Sequence, residues 1–223
     1  MYLAPADEAS TRKHPVNLCQ FSSAGCRKDC LFTAGRASFT PSIIKARIAR
    51  TRFLLKDRQA FLLQLRKEID ALVRQAKREK LIPCVRLNGT SDLFWLGAQL
   101  AAEYPTIQFY DYSKNPHVFS RPRPANYHLT FSRSEDNERQ ALSILANGQR
   151  ANVAVVFDSK TLPTHWNGYP VVSGDTHDLR FLDRKGVVIG LYAKGKAKKD
   201  SVSGFVVPVS SLFVPFTRLL FQD

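Results

Sequence analysis

The sequence predicts an α/β fold in a single domain, built as a partial (β/α) barrel or an open, mostly parallel sheet. A cysteine-bearing loop and a basic helical layer precede the sheet. Three observations carry this expectation. The chain has 223 residues, 44% hydrophobic and 23% charged, which is the composition of a globular protein with one substantial core. Beyond Pro83 the texture changes to short runs of strand composition: "CVRLN" (84–88), "IQFYDY" (107–112), "YHLTFS" (127–132), "NVAVVFD" (152–158), "PVVSGD" (170–175) and "GVVIGLYAK" (186–194). Helical segments fill two of the intervals between them, and strand–helix–strand spacing implies parallel strands joined by crossovers. A closed eight-fold barrel takes about 250 residues, and this chain has strands for only part of one.

In chain order, residues 1–39 form the entry loop, 40–82 the helical layer, 83–200 the sheet, and 201–223 an apolar tail expected to pack on the body. Thr40-Pro41 starts the first long helix, with Thr as N-cap and Pro where its missing N–H costs nothing. Asp57 is placed to cap the second, whose stripe of Phe61, Leu62, Leu65, Ile69, Leu72, Val73 and Ala76 faces inward, and Pro83 stops it. "SDLFWLGAQLAAEY" is a helix with Ser91 as expected N-cap, and "SEDNERQALSILANG" is another that stops at Asn147-Gly148.

No apolar run approaches the ~18 residues of a membrane helix, so no membrane role is expected. The start "MYLAPADEAS" lacks the basic-then-apolar pattern of a signal peptide, which predicts a cytoplasmic protein with reduced thiols. Net charge is +14 and uneven: residues 1–83 carry 17 Lys/Arg against 7 Asp/Glu. Such a balance points to nucleic acid or another polyanion as partner. Lys45, Arg47, Arg50 and Arg52 on the first long helix, and Lys196, Lys198 and Lys199 in "YAKGKAKKDS", are the expected phosphate contacts.

Three of the four cysteines, Cys19, Cys26 and Cys30, lie within twelve residues in a C-x6-C-x3-C pattern. Zinc takes four Cys or His ligands, and His14 is the nearest fourth residue. Three thiolates with no fourth instead suit a [4Fe–4S] cluster with one open iron. Arg27, Lys28 and Asp29 make the loop too polar for plain core, whereas Cys84 reads as a core thiol. No GxGxxG, P-loop or HExxH occurs, and the histidines include no HxH pair, which argues against a metal-dependent nicking relaxase. "GDTHD" (174–178) fits a turn as well as a source of metal-binding oxygens.

Polar residues gather at the expected C-terminal ends of the strands, the edge from which parallel sheets build their sites. Asn88, Gly89, Thr90, Ser91 and Asp92 follow the first strand; Asp111, Tyr112 and Lys114 end the second; Ser132, Arg133 and Glu135 end the third. Asp158, Asp175 and Lys194 end the next three. Lys114, Arg133 and Lys194 suit an anionic substrate, and Asp158 and Asp175 suit ribose contact or proton transfer, with Lys114 also in the catalytic set.

The segments "CLFTAGR", "KARIARTRFLLKD", "VRLNGTSDLFW", "IQFYDYSK" and "NYHLTFSRSE" resemble an uncharacterised phage and prophage group labelled "gene product 88-like", over roughly residues 17 to 200. The chain is also remotely similar to the radical S-adenosylmethionine (SAM) enzymes. That resemblance implies Cys19, Cys26 and Cys30 as cluster ligands, SAM on the fourth iron, and Asn88 to Asp92 in the place of the Gly-rich SAM-binding motif. The cysteine spacing differs from the usual C-x3-C-x2-C, and the acidic Gly-Gly-Glu is absent. The expectation is an iron–sulfur protein acting on nucleic acid or a nucleotide, with Tyr112, Arg133 and Lys194 at the substrate. The alternative is a non-enzymatic phage protein that binds nucleic acid or a host protein, with zinc or a cluster as a structural staple. In either case the expected location is the cytoplasm of the bacterial host.

Overall fold

The structure is a computed structural model that describes residues 1–147 and 151–212. Among these, five α-helices and seven strands form one α/β domain: α1 Ala24–Lys28, α2 Pro41–Lys56, α3 Arg58–Glu79, β1 Cys84–Val85, α4 Phe94–Glu103, β2 Gln108–Ser113, β3 Tyr127–Ser132, α5 Glu138–Ala146, β4 Val153–Phe157, β5 His165–Trp166, β6 Tyr169–Ser173 and β7 Val188–Tyr192. The strands make one sheet in the order β1-β2-β3-β4-β7-β6-β5. Only β5 and β6 pair antiparallel; every other pairing is parallel. The crossovers β1–α4–β2 and β3–α5–β4 are those the strand and helix spacing implied.

The helical layer starts where expected, with Thr40 at the N-cap position of α2, although its side chain makes no capping hydrogen bond. Pro41 occupies the first turn of α2, and Asp57 Oδ1 accepts from Ala60 N at 2.9 Å to cap α3. Phe61, Leu62, Leu65 and Ile69 of the α3 stripe are buried in the main core with Leu96 and Leu100 of α4 and Phe109, Leu129, Phe131, Val153 and Phe157 of the sheet, Leu72 and Val73 pack against it, and Ala76 is buried as well. The helix ends at Lys80, which takes a left-handed conformation (φ 56°), three residues before Pro83. Gly97 in α4 is required by close approach: a Cβ there would lie 2.1 Å from the Tyr127 hydroxyl.

Two local expectations are corrected, and one element is added. Ser91 does not cap α4; the Asn88 side chain accepts from Leu93 N at 3.0 Å and from Ser91 Oγ at 2.8 Å, so the turn is closed from its first residue. The first strand is only Cys84–Val85, because Arg86 to Leu93 leave the sheet as a loop. A further hairpin, β5–β6, turns at Asn167-Gly168, both with positive φ (47° and 82°), the geometry for which Asn-Gly is suited.

β3 and β4 pair only at Phe131–Val153 and Ser132–Ala154. Beyond that the tail inserts: Val207 bridges Phe157 and donates to Val156 O, and Phe205, Val206 and Val207 are buried. This part of the tail therefore packs on the body; α5 has Asn147 as its C-cap, while Gly148 of the expected stop and residues 213–223 of the expected tail lie outside the described residues. No helix among the described residues is long and apolar enough to cross a membrane.

Candidate functional site

A cavity of about 510 Å³ opens at the C-terminal ends of β1, β2, β3, β6 and β7. Cys19, Cys26 and Cys30 all line it, together with Asn88 to Asp92, Tyr112, Lys114, Asp175 and Lys194. The sequence expectation thus converges on one place for both cysteines and strand ends. Tyr2, Leu31, Leu191, Tyr192 and Phe205 supply apolar and aromatic walls, and Arg86 and Asp178, ion-paired with each other, bring the β1 and β6 ends of the sheet together.

The cysteine segment is fixed from both sides. Glu135, in the loop after β3, accepts from Ser23 Oγ at 2.7 Å and from Gly25 N at 2.6 Å, which clasps the start of α1 to the sheet. Gly25 has no room for a side chain, since a Cβ would meet Glu135, Ser203 and Phe205 within 2.9 Å. On the other side, Gly195 (φ 59°) packs on Thr33 and Ala34. The basic 3-10 turn Gly195–Lys199 therefore lies against the cysteine segment, with Lys196, Lys198 and Lys199 exposed.

Each thiol has its own setting. Cys19 Sγ donates to Thr90 O at 3.6 Å, Cys30 Sγ accepts from Phe32 N at 3.5 Å, and Cys26 packs beside Ala193, Ala197, Phe205 and Val206. Burial pushes all three thiols up, Cys19 to about 12, so they are protonated while nothing is bound. In kind, three sulfurs around one cavity fit a thiolate-bound metal group. They are not drawn onto one point, however: among the described residues no group of three or more His, Cys, Asp or Glu side chains is arranged to hold a metal ion. His14 sits in an exposed turn with Thr11 and does not line the cavity, so the expected fourth zinc ligand is not brought to the cysteines. Cys84 stands apart on β1, outside the lining.

The loop Asn88–Asp92 is a closed hydrogen-bonded unit. Asn88 donates through N and Nδ2 to the fully buried Asp111, at 2.7 and 2.9 Å, and Tyr127 Oη donates to the same carboxylate at 3.0 Å. Thr90 Oγ1 donates to Leu3 O, and Gly89 N to Met1 O. Gly89 is required because the N-terminal residues lie across it; a Cβ would sit 2.6 Å from the Tyr2 ring. Asp92 accepts from Ser113 Oγ and Lys114 N at 2.7 and 2.8 Å, and burial raises its pKa. Lys114 Nζ reaches Ser132 Oγ at 2.9 Å and lies 5.3 Å from the centre of the Phe205 ring. Lys194 Nζ pairs with Asp175 at 2.7 Å, and that ammonium, together with donation from Tyr192 N, holds the Asp175 carboxyl below its usual range against the opposing effect of burial.

Several expected contacts are placed elsewhere. Arg133 does not point into the cavity; its guanidinium binds Glu138 at 2.7 Å and the Gly204 and Phe205 carbonyls, so it fastens the tail into the gap between β3 and β4. Asp158 accepts from Val209 N and caps the tail, outside the lining. Arg47 is buried, with its guanidinium 4.9 Å from the Tyr2 ring centre and 5.3 Å from that of Phe32, and is not available to phosphate. Arg50 donates to Tyr2 O but is exposed, as are Lys45 and Arg52. Gly174, Asp175, His177 and Asp178 of the "GDTHD" stretch line the cavity, and Tyr2, Arg86 and Phe205 line it without having been singled out from the sequence. Tyr2 comes from the amino-terminal segment and Phe205 from the tail, and no motif marks either.

The fold and this cavity define a class: a mostly parallel α/β protein whose strand-end cavity is bordered by three cysteines of one segment. The chain belongs to the Gene product 88 family, whose model matches residues 2–207. That match extends past the segments in which the sequence resemblance was seen, and takes in both Tyr2 and Phe205. No curated protein and no solved structure matches it.

Proposed function

We propose that the protein is an iron–sulfur protein in which Cys19, Cys26 and Cys30 hold a [4Fe–4S] cluster at the mouth of the strand-end cavity, with SAM at the open iron and a nucleic acid or nucleotide as substrate. The single observation that supports this reading is that all three cysteines line the same cavity as the Asn88–Asp92 loop. To act as ligands the three Sγ atoms must turn to one point and lose their protons. When bound, such a cluster supplies one-electron chemistry that no side chain offers.

The chain's own residues then have distinct tasks. Glu135 clasps the ligand segment, and Asp111 holds the Asn88 turn in shape from below. Tyr112 and Tyr192 offer ring faces in the wall, and Lys114 and Lys194 offer positive charge to an anionic substrate. Lys196, Lys198 and Lys199 border the cysteine segment, where a phosphate chain entering the cavity would pass. Arg133 and Asp158 have no part in this scheme.

A second reading is favoured by the closed hydrogen bonding of the Asn88–Asp92 loop, whose side chains are engaged by the protein itself. In that reading zinc or a cluster is a staple and the protein binds nucleic acid or a host protein without chemistry. Anaerobic purification with iron, sulfide and zinc analysis, followed by electron paramagnetic resonance of the reduced protein with and without SAM, separates the two. A cluster signal altered by SAM and lost in Cys26→Ser is the expected result. A colourless protein holding one zinc, or a metal content unchanged in Cys26→Ser, would overturn the proposal. Affinity for single-stranded RNA or DNA should fall steeply with salt if the basic border contacts phosphates.

A further inference from the structure

We propose that the strand-end cavity receives one nucleotide of a single-stranded nucleic acid, whose neighbouring phosphates lie along the mouth from Arg50 at one end to Lys160 and Lys198 at the other. This rests on the reading of the cavity as a substrate site, and it commits that site to a polymer rather than a free nucleotide.

The first support is uncommitted positive charge at the mouth. The acids among the described lining residues are all engaged: Asp175 by Lys194, Asp178 by Arg86, and Asp92 by Ser113 Oγ and Lys114 N. The cations of the rim are not. Arg50, exposed on α2, donates to the carbonyl of Tyr2, whose side chain lines the cavity. At the other end, Lys160 follows β4 and Lys198 follows β7, and their Nζ atoms lie 5.8 and 5.5 Å from the centre of the Tyr192 ring. Among the described residues, Arg50, Lys160 and Lys198 form no ion pair. Two ammonium groups from separate segments, held beside one ring of the wall without a carboxylate, suit a polyanion.

The second support is length. Tyr2 packs on Gly89 in the loop after β1, and Tyr192 ends β7. Four strand spacings separate β1 from β7 in the sheet, about 19 Å. A single nucleotide does not span that distance, whereas about five stacked nucleotides do, at about 3.4 Å each. The cavity itself, at about 510 Å³, has the size of a small-molecule site and so takes one of them. Apolar surface completes the fit. Tyr2 (46% exposed), Leu31 (58%) and Tyr192 all line this cavity, and base faces can cover them from a single strand but not from within a duplex. The outer face of α2 takes no part. Arg47 is buried against Tyr2 and Phe32, and Lys45 and Arg52 stand about 160° and 140° from it around the helix, facing away from the mouth.

The test is fluorescence anisotropy of the full chain with labelled single strands of RNA and of DNA, about twelve nucleotides long, over a salt series. Saturable binding of either strand is expected, and it names the polymer; a duplex of the same sequence and a mononucleotide competitor should bind at least about ten-fold more weakly. Lys160→Ala and Lys198→Ala, both at exposed positions, should each weaken binding about three-fold and reduce the salt slope by about 0.7. The paired change Lys45→Ala and Arg52→Ala should do less than either. A mononucleotide or duplex bound as tightly as the single strand would overturn the proposal. So would equal competition by a polyglutamate peptide, or a larger loss from the Lys45 and Arg52 pair than from Lys160 and Lys198. Strand binding by a chain that holds no cluster supports this inference and removes the iron–sulfur reading alone; a cluster without strand binding removes this inference alone.

Discussion

The two edges of this sheet carry opposite kinds of polar chemistry. At the C-terminal edge, acids are buried and surrounded by donors: Asp111 accepts from Asn88 N, Asn88 Nδ2 and Tyr127 Oη, and Asp92 from Ser113 and Lys114. At the N-terminal edge, carbonyls are gathered by an amide: Asn126 Nδ2 lies within 3.0 Å of the Ala101, Tyr104 and Ile107 oxygens and so closes the end of α4. The difference follows from what each edge connects. Long loops leave the C-terminal ends and need buried anchors to hold a shape. The short connection at residues 104–107, which feeds β2, needs only its carbonyls satisfied.

The largest break in this contrast is Asp111→Ala. It strands three buried donors, and urea unfolding should show a loss of roughly 3–5 kcal/mol. Next in size is a pH effect at the other edge. His128 titrates at about 4 when folded against an ordinary 6.5, so between these values the unfolded chain holds more protons. Stability should therefore fall as pH drops from 6.5 towards 4, by about 2 kcal/mol after allowance for the partial exposure of the ring. His128→Gln should flatten that slope in unfolding curves taken across the window. Asn126→Ala should cost about 1–1.5 kcal/mol, less than Asp111→Ala because solvent reaches this edge and can replace part of the bonding. Lys194→Ala is the smallest change. Its ion pair with Asp175 is half exposed on the lysine side (52%), and thermal melts should shift by no more than about 0.5 kcal/mol equivalent. A large loss there would mean that the C-terminal edge depends on its exposed charges as well as on its buried ones.

How far the sequence foretold this depends on whether the signal was local. Thr40-Pro41, Asp57 and the stripe of α3 are short-range signals, and the helices formed where they placed them. The parallel strands followed from spacing. Strand ends of a parallel sheet share an edge, which put Asn88 to Asp92, Tyr112, Lys114, Asp175 and Lys194 at one side; that Cys19, Cys26 and Cys30 line the same cavity was an expectation from family resemblance, since their segment precedes the sheet and no strand places it. What was not legible needed the long-range fold. Arg133 was expected in the cavity because it ends a strand, but the tail occupies the gap beside it and takes its guanidinium. Arg47 was read as a phosphate contact from its basic helix, yet the N-terminal segment and Phe32 cover it with aromatic rings. Tyr2 and Phe205 come from far ends of the chain and carry no motif. The Asn167-Gly168 turn was different: its signal stands in the sequence, and the adjacent strand is only two residues long.

That brevity has a consequence at both sides of the sheet. The outermost strands, β1 and β5, are Cys84–Val85 and His165–Trp166. A strand arriving from another molecule would find a template of two residues at either side, too short to seed pairing between chains. In a protein of net charge +14, which also repels its own copies, the sheet is protected against edge-to-edge aggregation by geometry as well as by charge. The longer strands β3, β4 and β7 lie inside the sheet, each between two neighbours.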